Sequence, residues 1–471
     1  MKVNQPKSDE TRVTKSRRDG LLLLLLGSVV FVLLGVALEN SAQAPSADFR
    51  ALYYPARCLV HNSDLYLVSD VLPIYQADSA HFPLDNWKNR EIATRNVYPP
   101  TAFTFMLPFA MLSWGPAHIL WLILTLCSML VASFLIWHFS ASYSPLVCGA
   151  LIGLFLVNSE LLAISSNAAG IVVSLCVVAV CCFLRDRFAI LGIVCLAISL
   201  TIKPQETGLV WLYFLLAGGV YRKRALQTLL ATIVVSLPGL LWVGHVSPHW
   251  LAEWQANLAT FSAHGGINDP GPDSAGGHGL AMVISLQSIL SVFRDSPRIY
   301  NLGSYLISAP LLLAWAIVTA RTRTTPARAL LALAAIAAIS MLPVYHRQYD
   351  AKLLLLAVPA CVMLLAEGGL IGRLALLVTT AGLVLTGDLT WAVLLGVINQ
   401  IHPAANGLAA QMLMATQVFP PPLMLLVMGI FYLWAYACKA PALPRKLPSS
   451  AESVDRRSAS HNKMDGGPGG I

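Results

Sequence analysis

Apolar runs of roughly 15 to 25 residues recur along most of this chain, each closed by a basic cluster or a short polar break. That length suits helices crossing a hydrocarbon core about 30 Å thick. The runs predict spans at about 21–38, 98–139, 145–162, 168–184, 188–202, 205–220, 226–243, 301–320, 327–343, 351–366, 371–395 and 411–437. Segment 98–139 is too long for one helix and is interrupted at Pro108 and at Ser113-Trp114-Gly115-Pro116. It reads either as a re-entrant half-helix followed by a full span or as two spans. Two long polar stretches, 39–97 and 244–280, separate the runs, and no internal repeat is evident. After about Lys439 the composition shifts to Pro, Ser, Gly and charge, as expected of a disordered tail.

Composition sharpens this picture. Of 471 residues, 56% are hydrophobic and 11% charged, too little polar surface to cover a soluble core of this size. The fold class expected is an all-α polytopic membrane protein, a bundle of about 11–13 transmembrane helices with a large outer loop after the first. The net charge of +8 does not point to nucleic acid, because the basic residues sit in short clusters between spans and act as topology signals. Nine cysteines give no disulfide framework: all but Cys58 fall in or beside apolar runs.

Sidedness follows from the basic clusters. Six basic residues before position 20 hold the N-terminus inside, and Arg185/Arg187, Arg222-Lys223-Arg224, Arg321/Arg323/Arg328, Arg373 and the tail from Lys439 are placed there too. The divisions are then a cytoplasmic N-terminus at 1–20, a transmembrane domain at 21–438 and a cytoplasmic tail at 439–471. Leu21–Leu38 followed by Ala42-Gln43-Ala44 has the outline of a signal peptide, but its apolar run of about 18 residues favours an uncleaved first helix. On the outer side lie 39–97, Ser165-Ser166-Asn167, Lys203-Pro204-Gln205, 244–280 and Tyr345 to Asp350. Polar and ionisable groups at the hydrocarbon boundary are costly and generally persist because they bind or react with something. All the conspicuous breaks converge on one face.

Asp48-Phe49-Arg50, with Tyr53 and Tyr54 downstream, follows the first run by about ten residues; Tyr98-Pro99-Pro100 opens the next run, and Lys203-Pro204-Gln205 lies in mid-chain. In this order and spacing the chain resembles glycosyltransferase family 87, integral membrane enzymes of the GT-C class, over roughly 40–370. It departs from that pattern at Ser166-Asn167, where many relatives carry Gly-Gln or Gly-Asn, and represents a late histidine segment by Tyr345-His346-Arg347. The resemblance implies an inverting hexosyltransferase taking a sugar, mannose by analogy, from a polyprenyl-phosphate donor to an envelope glycan or glycolipid. It also implies a multi-pass location in the cell's inner (plasma) membrane with the site facing the periplasm or exterior, and membrane lipids as surroundings.

Such chemistry needs a base for the acceptor proton, which Asp48 offers, and cations or oriented donors for the leaving phosphate. Lys203, Arg347 and His346 offer the latter, with Gln205, Tyr98, Tyr53, Arg50 and Asn167 as further donor-side candidates. Blander roles are available for each. Asp48 is also placed to cap an interfacial helix, Lys203 to snorkel to headgroups, Tyr98-Pro99-Pro100 to start a helix, and His346-Arg347 to anchor an aromatic belt. His245, His249, His264 and His278 share the outer loop 244–280, but Pro248 breaks the spacing that His245 and His249 would need, so no metal and no cofactor are expected. Two other classes remain open: a transporter or lipid flippase, for which Asp388 and Glu367 are the only late acids available, and a polysaccharide polymerase or ligase.

Overall fold

The long apolar runs are helical in the computed structural model, although those at 98–139, 145–162 and 351–366 are broken into shorter pieces; the structure describes residues 7–42, 46–78, 87–271, 283–390, 392–393 and 420–438. Helix α1 (Lys7–Ser41) is followed by three short helices in the first polar stretch, α2 (Ala47–Val60), α3 (Val68–Ala77) and α4 (Trp87–Thr94). A 3-10 turn at Pro100–Ala102 leads into α5 (Phe103–Ala110), and Ser113 precedes α6 (Trp114–Ser140). With eight residues α5 is about 12 Å long, too short to cross a bilayer, so segment 98–139 contains one spanning helix. There follow α7 (Pro145–Leu156), α8 (Leu161–Ile164), α9 (Ala169–Leu184), α10 (Ala189–Ile202), α11 (Pro204–Ala217) and α12 (Gly219–Val246). The second half holds α13 (Trp250–Ser262), α14 (Leu286–Phe293), α15 (Pro297–Arg321) and α16 (Pro326–Ile339). A 3-10 helix (Asp350–Ala357), α17 (Val358–Glu367), α18 (Gly369–Leu385) and α19 (Pro420–Cys438) complete it. The described residues up to Ala437 form one compact unit. The tail expected at 439–471, residues 272–280 of the second polar stretch with His278, and parts of the last two predicted spans lie outside the described residues.

Among the described residues the architecture is all-helical apart from a single bridge between Val283 and Arg347, and six helical segments are long and apolar enough to cross a membrane. Their exposed side chains are large and apolar: Leu22, Leu26 and Leu33 on α1, Leu230, Ile233 and Leu241 on α12, Leu302, Leu306 and Leu313 on α15. In water such surfaces would aggregate; in a bilayer they meet lipid. The shorter α9 and α16 are almost wholly buried and form the centre of the bundle.

Close helix contact depends on glycine where α1 meets α7. Gly149 and Gly153, four apart on α7, face Gly20 and Gly27, and a Cβ on Gly149 would fall 1.9 Å from the Gly20 carbonyl oxygen. Small residues at this spacing let backbones approach when no aqueous hydrophobic effect drives helices together. Gly153→Val is expected to destabilise the fold by about 1–3 kcal/mol through overpacking, measured by thermal unfolding in detergent; an unchanged midpoint would show that the contact gives way freely.

The helix order divides the polar features between two ends. α9 and α11 run from Asn167 and Lys203 to the basic turns at Arg185 and Arg222, while α10 runs back. The basic turns meet around a cavity of about 740 Å³ lined by Asp186, Tyr221, Arg224, Arg321 and Arg323. The segments carrying Asp48, Asn167, Lys203 and Tyr345 to Asp350 meet at the other end of the same helices. Of the two late acids, Asp388 is buried and paired with Lys352 at 3.0 Å, and its other oxygen accepts the Leu161 N–H at 2.8 Å; Glu367 is exposed. This pair ties the α7–α8 break to the 3-10 helix.

The first polar stretch is more structured than a loop. Aromatic residues of α2 and α3 (Phe49, Tyr53, Tyr54, Tyr75) form a second core with Phe109, Trp114 and Trp121. The second polar stretch likewise contains a helix, α13, because Trp254, Asn257 and Phe261 repeat at helical spacing. Trp254 Nε1 donates to the Val97 carbonyl at 2.9 Å, and Asn257 donates to the carbonyls of Tyr66 and Asn96, both at 3.0 Å. α13 therefore fixes the segment leading to Tyr98.

Candidate active site

Asp48 occupies the first turn of α2, and its position is set by main-chain docking. The Ser46 N–H donates to the Ile164 carbonyl at 2.8 Å and the Asp48 N–H to the Ser165 carbonyl at 3.0 Å. The break at 165–167 is thus both the start of α9 and the seat of the Asp48 turn. The side chain of Asn167 hydrogen-bonds the Asp48 carboxyl group, and Ser165, whose hydroxyl donates to the Leu161 carbonyl at 2.7 Å, lies beside it. Asn167 Oδ1 in turn accepts the Ala169 N–H at 2.8 Å and the Lys203 ammonium at 3.2 Å. Asn167 is therefore a bridge between the acid and the lysine.

Lys203 sits in the bend between α10 and α11, where Pro204 at the first helical position ends one helix and begins the next. Its side chain is 8% exposed and bonds Asp350 Oδ1 at 2.8 Å, with Glu206 at 3.9 Å and the Tyr349 ring centroid at 5.0 Å. Burial works against its charge, but Asp350 and Glu206 outweigh that and hold its pKa above the ordinary value. Burial likewise acts to raise Asp350, and Lys203 with His346 reverses this, leaving the carboxyl well below the usual range. This is a buried ion pair in which each charge keeps the other ionised.

In the segment 345–350, His346, Gln348, Tyr349 and Asp350 are buried, whereas Tyr345 and Arg347 are half-buried. His346 Nδ1 lies 3.3 Å from Asp350 Oδ2, which also accepts the Arg347 N–H at 2.8 Å. The Arg347 guanidinium is held by the Tyr345 hydroxyl, by the Ile267 carbonyl at 2.6 Å and by Asn268 Oδ1 at 3.4 Å. Its charge acts on Asp48, and Tyr98 feels Lys203, Asp48, Tyr345 and Asp350. The half-buried members of the group are Asp48, Tyr98, Tyr345 and Arg347, with Lys203, Asn167, His346 and Asp350 beneath them. Burial raises the Asp48 pKa above 3.8, and Asn167, Arg347, Lys203 and Ser165 temper the rise.

Five of the sequence-derived candidates are thereby joined to Asp48: Asn167, Lys203, Tyr98, His346 and Arg347. Three are placed differently. Gln205 is exposed at the start of α11, and the next residue, Glu206, faces Lys203 instead. Arg50 is 1% exposed, with its guanidinium 6.0 Å from the Trp114 ring centroid, and the Tyr53 hydroxyl donates to the Leu112 carbonyl at 2.8 Å and accepts from Arg57. Both belong to the aromatic packing under α2. Sequence reading passed over Glu206, which directly follows Lys203-Pro204-Gln205, and gave no role to Asp350, the last residue of the 345–350 break. An acid three residues from a boundary lysine was the available signal for Glu206.

Among the described residues the one trio of His or carboxylate groups close enough to hold a cation is His264, Asp269 and Asp295, with donor atoms within 4.8 Å. His264 and Asp269 flank Ile267 and Asn268, Asp295 follows α14, and His264 Nδ1 lies 3.4 Å from Asp269 and 3.5 Å from Asp295.

Residues 96–344 match the family model for glycosyltransferase family 87. The chain belongs to glycosyltransferase family 87. It is a multi-pass membrane glycosyltransferase, as the apolar helices and the family together require. No curated protein and no solved structure matches it. The family-87 match contains Tyr98, Asn167, Lys203 and Gln205 but stops short of Asp48, His346 and Arg347. Folding is what adds those three to the matched segment.

Proposed function

We propose that this family-87 enzyme transfers a hexose, mannose by family analogy, from a polyprenyl phosphate to a hydroxyl of an envelope glycan or glycolipid, with inversion. The supporting observation is one half-buried carboxylate, Asp48, hydrogen-bonded by Asn167 and set in the field of Arg347 and Lys203. Asp48 takes the acceptor proton as the acceptor oxygen bonds to the anomeric carbon and the carbon–oxygen bond to the phosphate breaks. A raised pKa makes Asp48 a stronger base than a solvated aspartate once it is ionised. Arg347 meets the departing phosphate, with the phenols of Tyr98 and Tyr345 as hydrogen-bond donors. Charge stabilisation then rests on protein groups and needs no metal.

The test is to incubate purified enzyme with polyprenyl-phosphate-mannose and a membrane glycan and glycolipid extract as acceptor, with and without EDTA, and follow release of polyprenyl phosphate. Consumption unaffected by EDTA is expected; an inert donor would remove the donor assignment, and loss with EDTA the metal-free chemistry.

The proposed orientation places the Asp48 end at the periplasm or exterior and the basic turns in the cytoplasm. Cysteines at Lys88 and Lys223 are expected to label from opposite sides with a membrane-impermeant maleimide. Labelling from one side would overturn the orientation.

A further inference from the structure

We propose that His118 and Glu39 are positioning residues that hold Asp48 in its reactive orientation by clamping the hydroxyl of Ser46, an inference that rests on Asp48 being the reacting carboxylate. Ser46 precedes α2 in a left-handed conformation (φ 56°, ψ 35°), and Ser166, opposite it, has φ 50°. Residues with a Cβ adopt this region at a steric cost and persist there where the surroundings over-determine them. The surroundings here are specific. Ser46 Oγ lies 2.6 Å from His118 Nε2, 2.9 Å from Ser166 Oγ and 3.3 Å from Glu39 Oε1, and His118 Nε2 lies 3.0 Å from Glu39 Oε1. Ser46 and Ser166 are fully buried and Glu39 is 4% exposed.

The Ser46 hydroxyl can donate to Glu39 and accept from His118, and it also faces the Ser166 hydroxyl, which is within reach of the Ala163 carbonyl at 3.1 Å. His118 also acts on the other side of the turn. Its ring stacks on Trp114 at 5.4 Å and 7° and on Phe49, the residue after Asp48, at 6.5 Å and 30°. Phe49 stacks in turn on Trp121, whose Nε1 donates to the Ser166 carbonyl at 2.8 Å. Asp48 is thus bracketed by Ser46 and Phe49, and one imidazole contacts both. The end of α1, the start of α2, the first turns of α6 and the 165–166 break meet at this ring. A shift of about 1 Å in a reacting group lowers rates by about two orders of magnitude, so a clamp two residues from the base bears on turnover more than on donor binding.

The first arm of the test is amide hydrogen exchange at Ser46 and Asp48, protected in the native protein by the Ile164 and Ser165 carbonyls. Exchange there is expected to rise at least tenfold in His118→Ala, to rise less in His118→Gln, which retains a hydrogen-bonding group, and to stay unchanged in the middle of α6. The second arm is kinetic, with polyprenyl-phosphate-mannose as donor and the same membrane glycan and glycolipid extract as acceptor. His118→Ala is expected to lower kcat about ten- to a hundredfold with donor KM within about twofold, and to have no further effect in an Asp48→Asn background. Unchanged exchange at Ser46 and Asp48, or an equal loss in both backgrounds, would overturn the proposal by making His118 a packing residue. If His118→Ala does not fold, the same two arms are read on His118→Gln against wild type. A wild-type enzyme inert towards this donor sinks the donor assignment, and the exchange arm still decides whether His118 holds the Asp48 turn.

Discussion

Asp48→Asn is expected to lower turnover about 10²–10⁴-fold, the usual contribution of a general base, while donor binding and expression survive. Asparagine keeps the size of the side chain and a hydrogen-bonding group beside Asn167 and Ser165. The same assignment fixes the sign of the pH dependence. A base works only when deprotonated, and burial holds Asp48 above its ordinary value of 3.8. Turnover therefore falls as pH drops through the Asp48 pKa, and that acidic limb lies higher than a solvated aspartate would give. Asp64→Asn and Asp70→Asn are the controls. Asp64 accepts the Tyr66 N–H at 2.9 Å and Asp70 the Asp64 N–H at 3.1 Å, roles that an amide oxygen also fills. Steady-state rates across pH for the three variants decide the matter: near-normal turnover in Asp48→Asn, with loss in either control, would assign the base elsewhere in the 39–97 segment.

Lys203→Ala is expected to destabilise the protein by about 3–5 kcal/mol, because it leaves Asp350 as a buried carboxylate next to Glu206. From sequence alone, the same substitution reads as the loss of a donor-phosphate contact, with donor use falling by one to two orders of magnitude. The geometry makes stability the larger effect, since the ammonium is already committed to Asp350 at 2.8 Å. The double variant Lys203→Met/Asp350→Leu is expected to recover much of the loss, as exchange of a buried pair for apolar residues of similar volume often does. The pH dependence of the pair has a definite sign. Asp350, depressed when folded, stabilises above its ordinary value of 3.8 and loses that contribution only as pH falls through its folded value. Lys203, raised when folded, stabilises below its ordinary value of 10.5 and loses that contribution as pH rises through its folded value. Between those limits the contribution is flat. Denaturant unfolding in detergent measures it, and a Lys203→Ala variant of unchanged stability but weakened donor binding would return Lys203 to direct contact with the phosphate.

Much of the helix plan was legible in the sequence, because it depends on properties that act locally. Apolar run length specifies a helix that satisfies its own backbone in hydrocarbon, and proline marked the starts at Pro100, Pro145, Pro204, Pro297 and Pro326. Clusters of arginine and lysine marked the turns that gather at one end, and the breaks at 165–167, 203–205 and 345–350 marked the other. The aromatic and helical content of 39–97 and of 250–262 was harder to read, since short amphipathic helices lack the signal of a long apolar run.

Only the tertiary structure decided the pairings. Lys203 and Asp350 are 147 residues apart in the chain, and Ser46 and Ser166 are 120 apart. No periodicity relates such positions; they meet because α9, α10, α16 and the 3-10 helix pack their buried faces into one core. Packing likewise chose Glu206 over Gln205, since α11 turns adjacent residues about 100° apart and can aim only one of them at Lys203. His118 carried no sequence signal at all. A lone histidine at the start of an apolar helix gains its meaning from Glu39 and Ser46, which reach it only once α1, α2 and α6 are packed together. The chain's local chemistry thus specified the helices and the polar breaks between them, and long-range packing specified which polar groups share a site, because burial forces each charge to find a partner wherever the fold places one.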